Sequence, residues 1–197
     1  MQEFPMNIDD CESYENEFFE NIDLNEQVLQ EVAFYRCTFK AASLQYAEFI
    51  DCEFQDCRFI GCNMALAVFN NSKIIDTEFR DSKLLGINWG NLGPVIVAQF
   101  SNCLMDRCSF SSQNLLKVKF NSCSLREATI SDSKLARVKF DDCDLSACQF
   151  HQNDLTNADF TTSRNYFMNA ETNKLKKAKF SLPEAVALLA NLEIKLI

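Results

Sequence analysis

The sequence predicts an all-β solenoid, a chain wound into square coils with its core inside them. Three observations predict it. From Phe19 onward a large apolar residue recurs at every fifth position. Neither a helix, with a period of about 3.6, nor a strand, with a period of 2, repeats at five. Residues twenty apart match in type: Phe19, Phe39, Phe59 and Phe79, then, after a shift of one, Phe100, Phe120, Phe140, Phe160 and Phe180. Gly (4) and Pro (3) are scarce, so the connections between sides must be short.

The elements follow in order. Residues 1–16 are assigned to an N-terminal cap. The opening stretch "MQEFPMNIDDCESYENEFFE" is acidic and lacks the basic and apolar regions of a signal peptide, which points to a cytoplasmic protein. Residues 17–180 form the solenoid. Its large positions run Phe19, Leu24, Leu29, Phe34 and so on to Trp89. The next step lands on Pro94, and the register resumes at Val95. The last large positions are Asn165, Ala170, Leu175 and Phe180. Two residues before each large one sits a smaller one, such as Val32, Cys37, Ala42, Cys103, Cys123 or Ala158. Two inward and three mostly polar positions per five describe a chain that turns a corner in every repeat. Four sides make one coil. Stacked coils should lie about 4.8 Å apart, as hydrogen-bonded strands do, so the eight coils from Phe19 to Phe180 make a rod of about 38 Å. The break at "NWGNLGPVIV" (88–97) holds Gly90, Gly93 and Pro94, and its one extra residue is the size of a bulge.

Residues 181–197 leave the repeat. Ser181 and Glu184 have the spacing of a capping box, with Pro183 in the first turn. Leu182, Val186, Leu189 and Leu192 follow helical spacing, and "EIKLI", with Ile194 and Leu196, reads as a short strand. This apolar ending predicts a homodimer joined through the C-terminus.

Nine of the ten cysteines fall in the small inward phase, where they alternate with Ala, Ser, Thr and Val. They read as reduced, buried filler rather than disulfides or metal ligands. His151 is the single histidine, and there is no Gly-rich phosphate loop. No catalytic constellation, cofactor site or metal site is therefore expected. No apolar run approaches the ~18 residues of a membrane span. The net charge of −9 is uneven: residues 1–60 hold 14 Asp/Glu against 3 Lys/Arg, net −11, while the remainder is net +2. That balance argues against direct nucleic-acid binding and for a basic protein partner. The candidate partner-binding residues are Asp51, Glu53, Asp56, Asp76, Glu78 and Asp81 on the outward positions. Arg58 should stack on Glu78, and Lys40 on Glu20.

The segments "CDLSA" (143–147), "NDLTN" (153–157) and "ADFTT" (158–162) resemble the repeat of the pentapeptide repeat family. That resemblance covers about residues 17–180 and implies a right-handed quadrilateral β-helix. Within the family, "FYRCTFKAASLQYAEFIDCEF" (34–54) and the helix-plus-strand ending resemble the topoisomerase-protecting Qnr, MfpA and microcin B17 immunity (McbG) type. "FIDCEFQDCRFIGCNM" (49–64) and "FRDSKLLGINW" (79–89) look most like the microcin immunity type. The resemblance implies a dimeric DNA mimic that binds DNA gyrase or topoisomerase IV and relieves a toxin or antibiotic. An alternative is a non-enzymatic scaffold or regulatory module with another partner. Unlike Qnr proteins, the chain has no room for loops projecting from the coils.

Overall fold

The computed structural model describes residues 12–93 and 95–192. It is the expected solenoid. Every strand pairing is parallel, and every partner lies one coil away. One side carries a four-stranded sheet built from Ser13–Glu15, Ala33–Tyr35, Glu53–Gln55 and Lys73–Ile75. The next carries a seven-stranded sheet running from Phe18–Glu20 to Phe140–Asp141. The third is held by single bridges such as Ser43↔Asn63, and the fourth by short three-stranded sheets.

The local cause is the corner. Two residues after most of the large residues the backbone takes a positive φ, as at Asn21 (57°), Asp51 (54°) and Asp76 (49°). One left-handed residue turns the chain, and Asn, Asp and Gly accept that conformation most readily. The corner N–H then donates to a carbonyl nineteen residues ahead, as Asn21 N does to Lys40 O at 2.9 Å and Asp56 N to Ile75 O at 3.0 Å. Most turns of the chain are thus tied to the coil above.

Inside, the large residues stack. Rings of the main phenylalanine column lie 4.7 Å (Phe39–Phe59) to 5.5 Å (Phe100–Phe120) apart and nearly parallel. Tyr14 stacks in the adjacent column on Phe34. The small positions are buried too, and their polar atoms have fixed partners. Thr77 Oγ1 donates to Phe54 O and Ile75 O, both at 3.1 Å. Cys57 Sγ reaches the equivalent Phe34 O and Gln55 O at 3.2 and 3.4 Å. This site accepts Ala, Cys, Ser or Thr because a short donor meets two carbonyls there and a methyl group loses little. Longer amides also enter it: Asn153 and Asn173 are buried, and each side chain accepts the N–H one coil below.

Three expectations need correction. At the break the inward residue is Ile96, fully buried, whereas Val95 is half exposed. A 3-10 turn at Trp89–Asn91, capped by Asn88 Oδ1 accepting from Gly90 N, displaces the chain by one more residue. Near the C-terminus Asn165 and Ala170 face outward, and Tyr166 and Met168 are buried instead. Asn165 serves as a corner with φ 60°, a role open to Asn, while the Tyr166 ring is large enough to close the core. Finally, the capping box does not form. The helical segment Leu182–Ala185, followed by a 3-10 turn Val186–Leu192, has no side-chain cap at Ser181. Ser181 bonds instead to the Tyr166 hydroxyl. Glu184 Oε2 accepts from Asn165 N at 2.7 Å. Residue 184 lies nineteen after 165, so a side-chain carboxylate supplies the acceptor that a further coil's carbonyl would have supplied.

Two predictions follow from this packing. Phe120→Ala should cost about 3–5 kcal/mol in a thermal or denaturant melt. Cys123→Ala should cost under about 1 kcal/mol, since Ala fills the same phase elsewhere; equal losses would refute the division into large and small columns. Glu184→Ala should lower stability by about 1 kcal/mol, and Glu184→Gln, which keeps an acceptor, by less.

Candidate interaction surface

The six acidic candidates divide by their place on the coil. Asp51, Asp56, Asp76 and Asp81 are all corner residues with φ between 49° and 55°. Backbone geometry by itself is a sufficient reason for aspartate at these positions. Glu53 and Glu78 stand on flat sides, within the strands Glu53–Gln55 and Thr77–Arg80.

The structure does not gather all six. Asp56 and Asp76 occupy successive coils of one edge, between the four-stranded and seven-stranded sides, and Glu78 lies beside them. Asp51 sits on the neighbouring edge and accepts from Asn71 Nδ2. Asp81 sits on the opposite neighbouring edge, accepting from Asn102 Nδ2 at 3.1 Å, with Arg80 Nε at 3.8 Å. Glu53 pairs with Lys73 at 3.2 Å and Glu78 with Arg58 at 3.8 Å. The Arg58–Glu78 pair and the Lys40–Glu20 pair at 2.7 Å are both the stacked pairs expected from the period of twenty. Asp56 and Asp76 make no ion pair among the described residues. Exposed pairs of this kind contribute little to folding, so the acidic edge is a property of the surface rather than of stability.

Sequence reading missed the basic counterpart. On the same edge, in later coils, stand Lys117 and Arg137, with Lys119 beside them; none makes an ion pair among the described residues. These positions are scattered in sequence, and only the period of twenty aligns them.

The predicted C-terminal contact residues are partly visible. Leu182 is 88% exposed and Val186 49%, while Leu189 is half-buried. Leu188 packs on the core. The side chain of Leu192, and Ile194 and Leu196 altogether, lie outside the described residues.

The nine described cysteines are free and buried, while Cys11 lies outside the described residues. No metal-binding cluster occurs among the described residues. Among them too, no helix is long and apolar enough to cross a membrane. Burial pushes the Cys108 and Cys148 thiols up to about 12. A raised folded-state value means that the neutral thiol stabilises the fold below about pH 9 and that this contribution is lost as pH climbs toward 12. Stability should therefore fall above pH 9, by about 1.4 kcal/mol per thiol at pH 10, with a matching drop in melting temperature, and Cys108→Ala with Cys148→Ala should flatten that fall. An unchanged alkaline profile in the double variant would contradict the burial argument.

Comparison with known proteins agrees with this geometry. Residues 14–92 match a family model described as "Pentapeptide repeat region", and residues 98–132 and 130–164 match "Pentapeptide repeats (8 copies)". The chain is similar to QnrB1, a plasmid-mediated fluoroquinolone resistance protein, with a TM-score of 0.60 and 19% identity over 94% of this chain and 97% of that one. It is also similar to HetL, a pentapeptide repeat protein involved in heterocyst differentiation regulation from the cyanobacterium Nostoc sp. strain PCC 7120, with a TM-score of 0.55 and 15% identity over 86% of each chain. At such identities the likeness is one of fold. No curated protein matches the chain.

Proposed function

The chain belongs to the pentapeptide repeat family, and on that premise we propose that it is a non-enzymatic, cytoplasmic DNA mimic that binds DNA gyrase or topoisomerase IV and protects it from a toxin or antibiotic. The observation that carries the reading is the acidic edge. Asp56 and Asp76 stand in register on a regular rod with Glu78 beside them, so fixed anionic groups repeat at the coil spacing of about 4.8 Å. A topoisomerase holds duplex DNA on a basic saddle, and a rigid rod with an anionic edge is complementary to such a surface. The resemblance of residues 34–54 to the early coils of Qnr proteins supports the same partner. In this reading two copies join through Leu182, Val186, Leu189, Leu192, Ile194 and Leu196, and the protein does not itself bind nucleic acid.

A second reading is a regulatory scaffold for another protein. The fold likeness to HetL favours it, as does the in-chain pairing of Asp51, Glu53, Glu78 and Asp81.

The deciding measurements are direct binding and a supercoiling assay with purified gyrase, with and without poisons. Asp56→Lys with Asp76→Lys should melt near wild type and bind gyrase at least about tenfold more weakly, with a shallower salt dependence. Wild-type protein that neither binds gyrase or topoisomerase IV at low salt nor changes poison-induced cleavage would leave the scaffold reading in its place. For the end contact, deletion of residues 182–197 should give a monomer by light scattering at high salt, where contacts between surface charges are screened.

A further inference from the structure

We infer that one long edge of the rod is self-complementary, so that two copies pair side by side and antiparallel about a two-fold axis at the register break. This inference does not rest on the topoisomerase reading; it uses the same edge, Asp56 and Asp76, so two copies paired along it do not present that edge to a topoisomerase.

The edge lies between the four-stranded and seven-stranded sides. Its corner residues in successive coils are Arg36, which is paired with Glu15, then Asp56 and Asp76, then a coil with no corner residue, then Lys117, which sits in a turn without the positive φ, and Arg137. The gap follows from the break. Val97 N donates to Ile74 O, which puts Val97 in register with Ile75, and Ala98 pairs with Thr77. Nothing in that coil corresponds to Asp76. Beyond the gap, Gln99 pairs with Lys119 and Phe120 with Phe140, which places Lys117 and Arg137 in line with the two aspartates.

The arrangement changes sign across the gap. An antiparallel second copy, related by a two-fold axis through the gap, brings Asp76 of each copy opposite Lys117 of the other, and Asp56 opposite Arg137. On the adjoining side, Glu78, Gln99 and Lys119 are stacked in that order, so Glu78 faces Lys119. The two copies meet with every one of these charges matched. One like-charge apposition remains, Arg58 with Lys139, and each already has its own carboxylate, Glu78 at 3.8 Å and Asp141 at 2.8 Å.

The middle of the edge is apolar. Val95 and Leu116 are 50% and 47% exposed, and Ile75 and Val97 lie between them, part-buried. The same operation sets Ile75 against Leu116. Leu116, Lys117, Lys119 and Arg137 also line a surface depression that can receive side chains from a neighbour. An apolar centre with a charged rim is the ordinary build of a protein interface. Nucleic acid is the weaker fit to the basic half, because the chain carries a net charge of −9 and the acidic half of the edge is continuous with the basic half.

The test is sedimentation velocity on the full chain at 20–200 μM, in low and high salt. Wild type should associate at low salt and weaken as salt screens the rim. Asp76→Lys alone and Lys117→Asp alone should each weaken association at least about tenfold, since each places two like-charge contacts in every pair. Mixing the two single variants should restore it, because in the mixed pair both contacts are again of opposite sign. That rescue also shows that both variants are folded. Four results would overturn the inference: a wild type that stays monomeric at low salt, single variants that still pair but lose pairing on deletion of residues 182–197, a mixture that does not recover, or a basic half that binds duplex DNA while the copies do not pair.

Discussion

The register of one coil on the next is the constraint on which everything else depends. Most corners turn on a single left-handed residue, and the N–H of most of these residues reaches a carbonyl nineteen positions ahead, or twenty across the break, in the coil above. A side longer or shorter by one residue would break that bond and turn the large side chain off its column. The phenylalanine stack is therefore as much a result of the corner as a driving force in its own right. The energy comes from burying rings, but their alignment comes from the backbone.

This division of labour explains the composition of the surface. Aspartate and asparagine are frequent at corners because they accept a positive φ at low cost. Carboxylates consequently line the edges of the rod before any partner is considered. What a partner can use is the alignment that follows. Asp56 and Asp76 repeat along one edge without in-chain ion pairing, whereas Asp51 and Asp81, on other edges, are tied to neighbouring side chains. The same rule places Arg137 at a corner with φ 68°, and it gives a long basic side chain the same regular spacing.

The two irregular places obey the same rule. At the break the chain adds residues ahead of Ile96 and omits the corner after Val97, so the core columns continue while one edge gains a notch. At the C-terminal end Glu184 completes the hydrogen bond of the Asn165 corner with its side chain, and the Tyr166 ring packs beside the stacked Phe160 and Phe180 rings, tilted against both. A solenoid has to finish its ladder as well as cover its core, and here one carboxylate and one aromatic ring do so.

The sequence by itself determined the coil. Periods of five and twenty are statements about which residues share a wall and which are stacked, and Phe19 through Phe160, the cysteine columns and the Arg58–Glu78 and Lys40–Glu20 pairs all stand where those periods put them. Periodicity carries this information because each coil repeats the same local geometry. It carries none where the geometry stops repeating. Val95 or Ile96, Asn165 or Tyr166, and a capping box or a capped corner are each a choice between adjacent residues of suitable type, and packing against the neighbouring coil made it. The edge was only partly legible. Lys117 and Arg137 stand three residues before Phe120 and Phe140, as Asp56 and Asp76 stand before Phe59 and Phe79, so the period of twenty with its one-residue shift aligns them; the missing corner between them follows from the displacement ahead of Ile96 and the lost residue after Val97, which exist only in the folded chain.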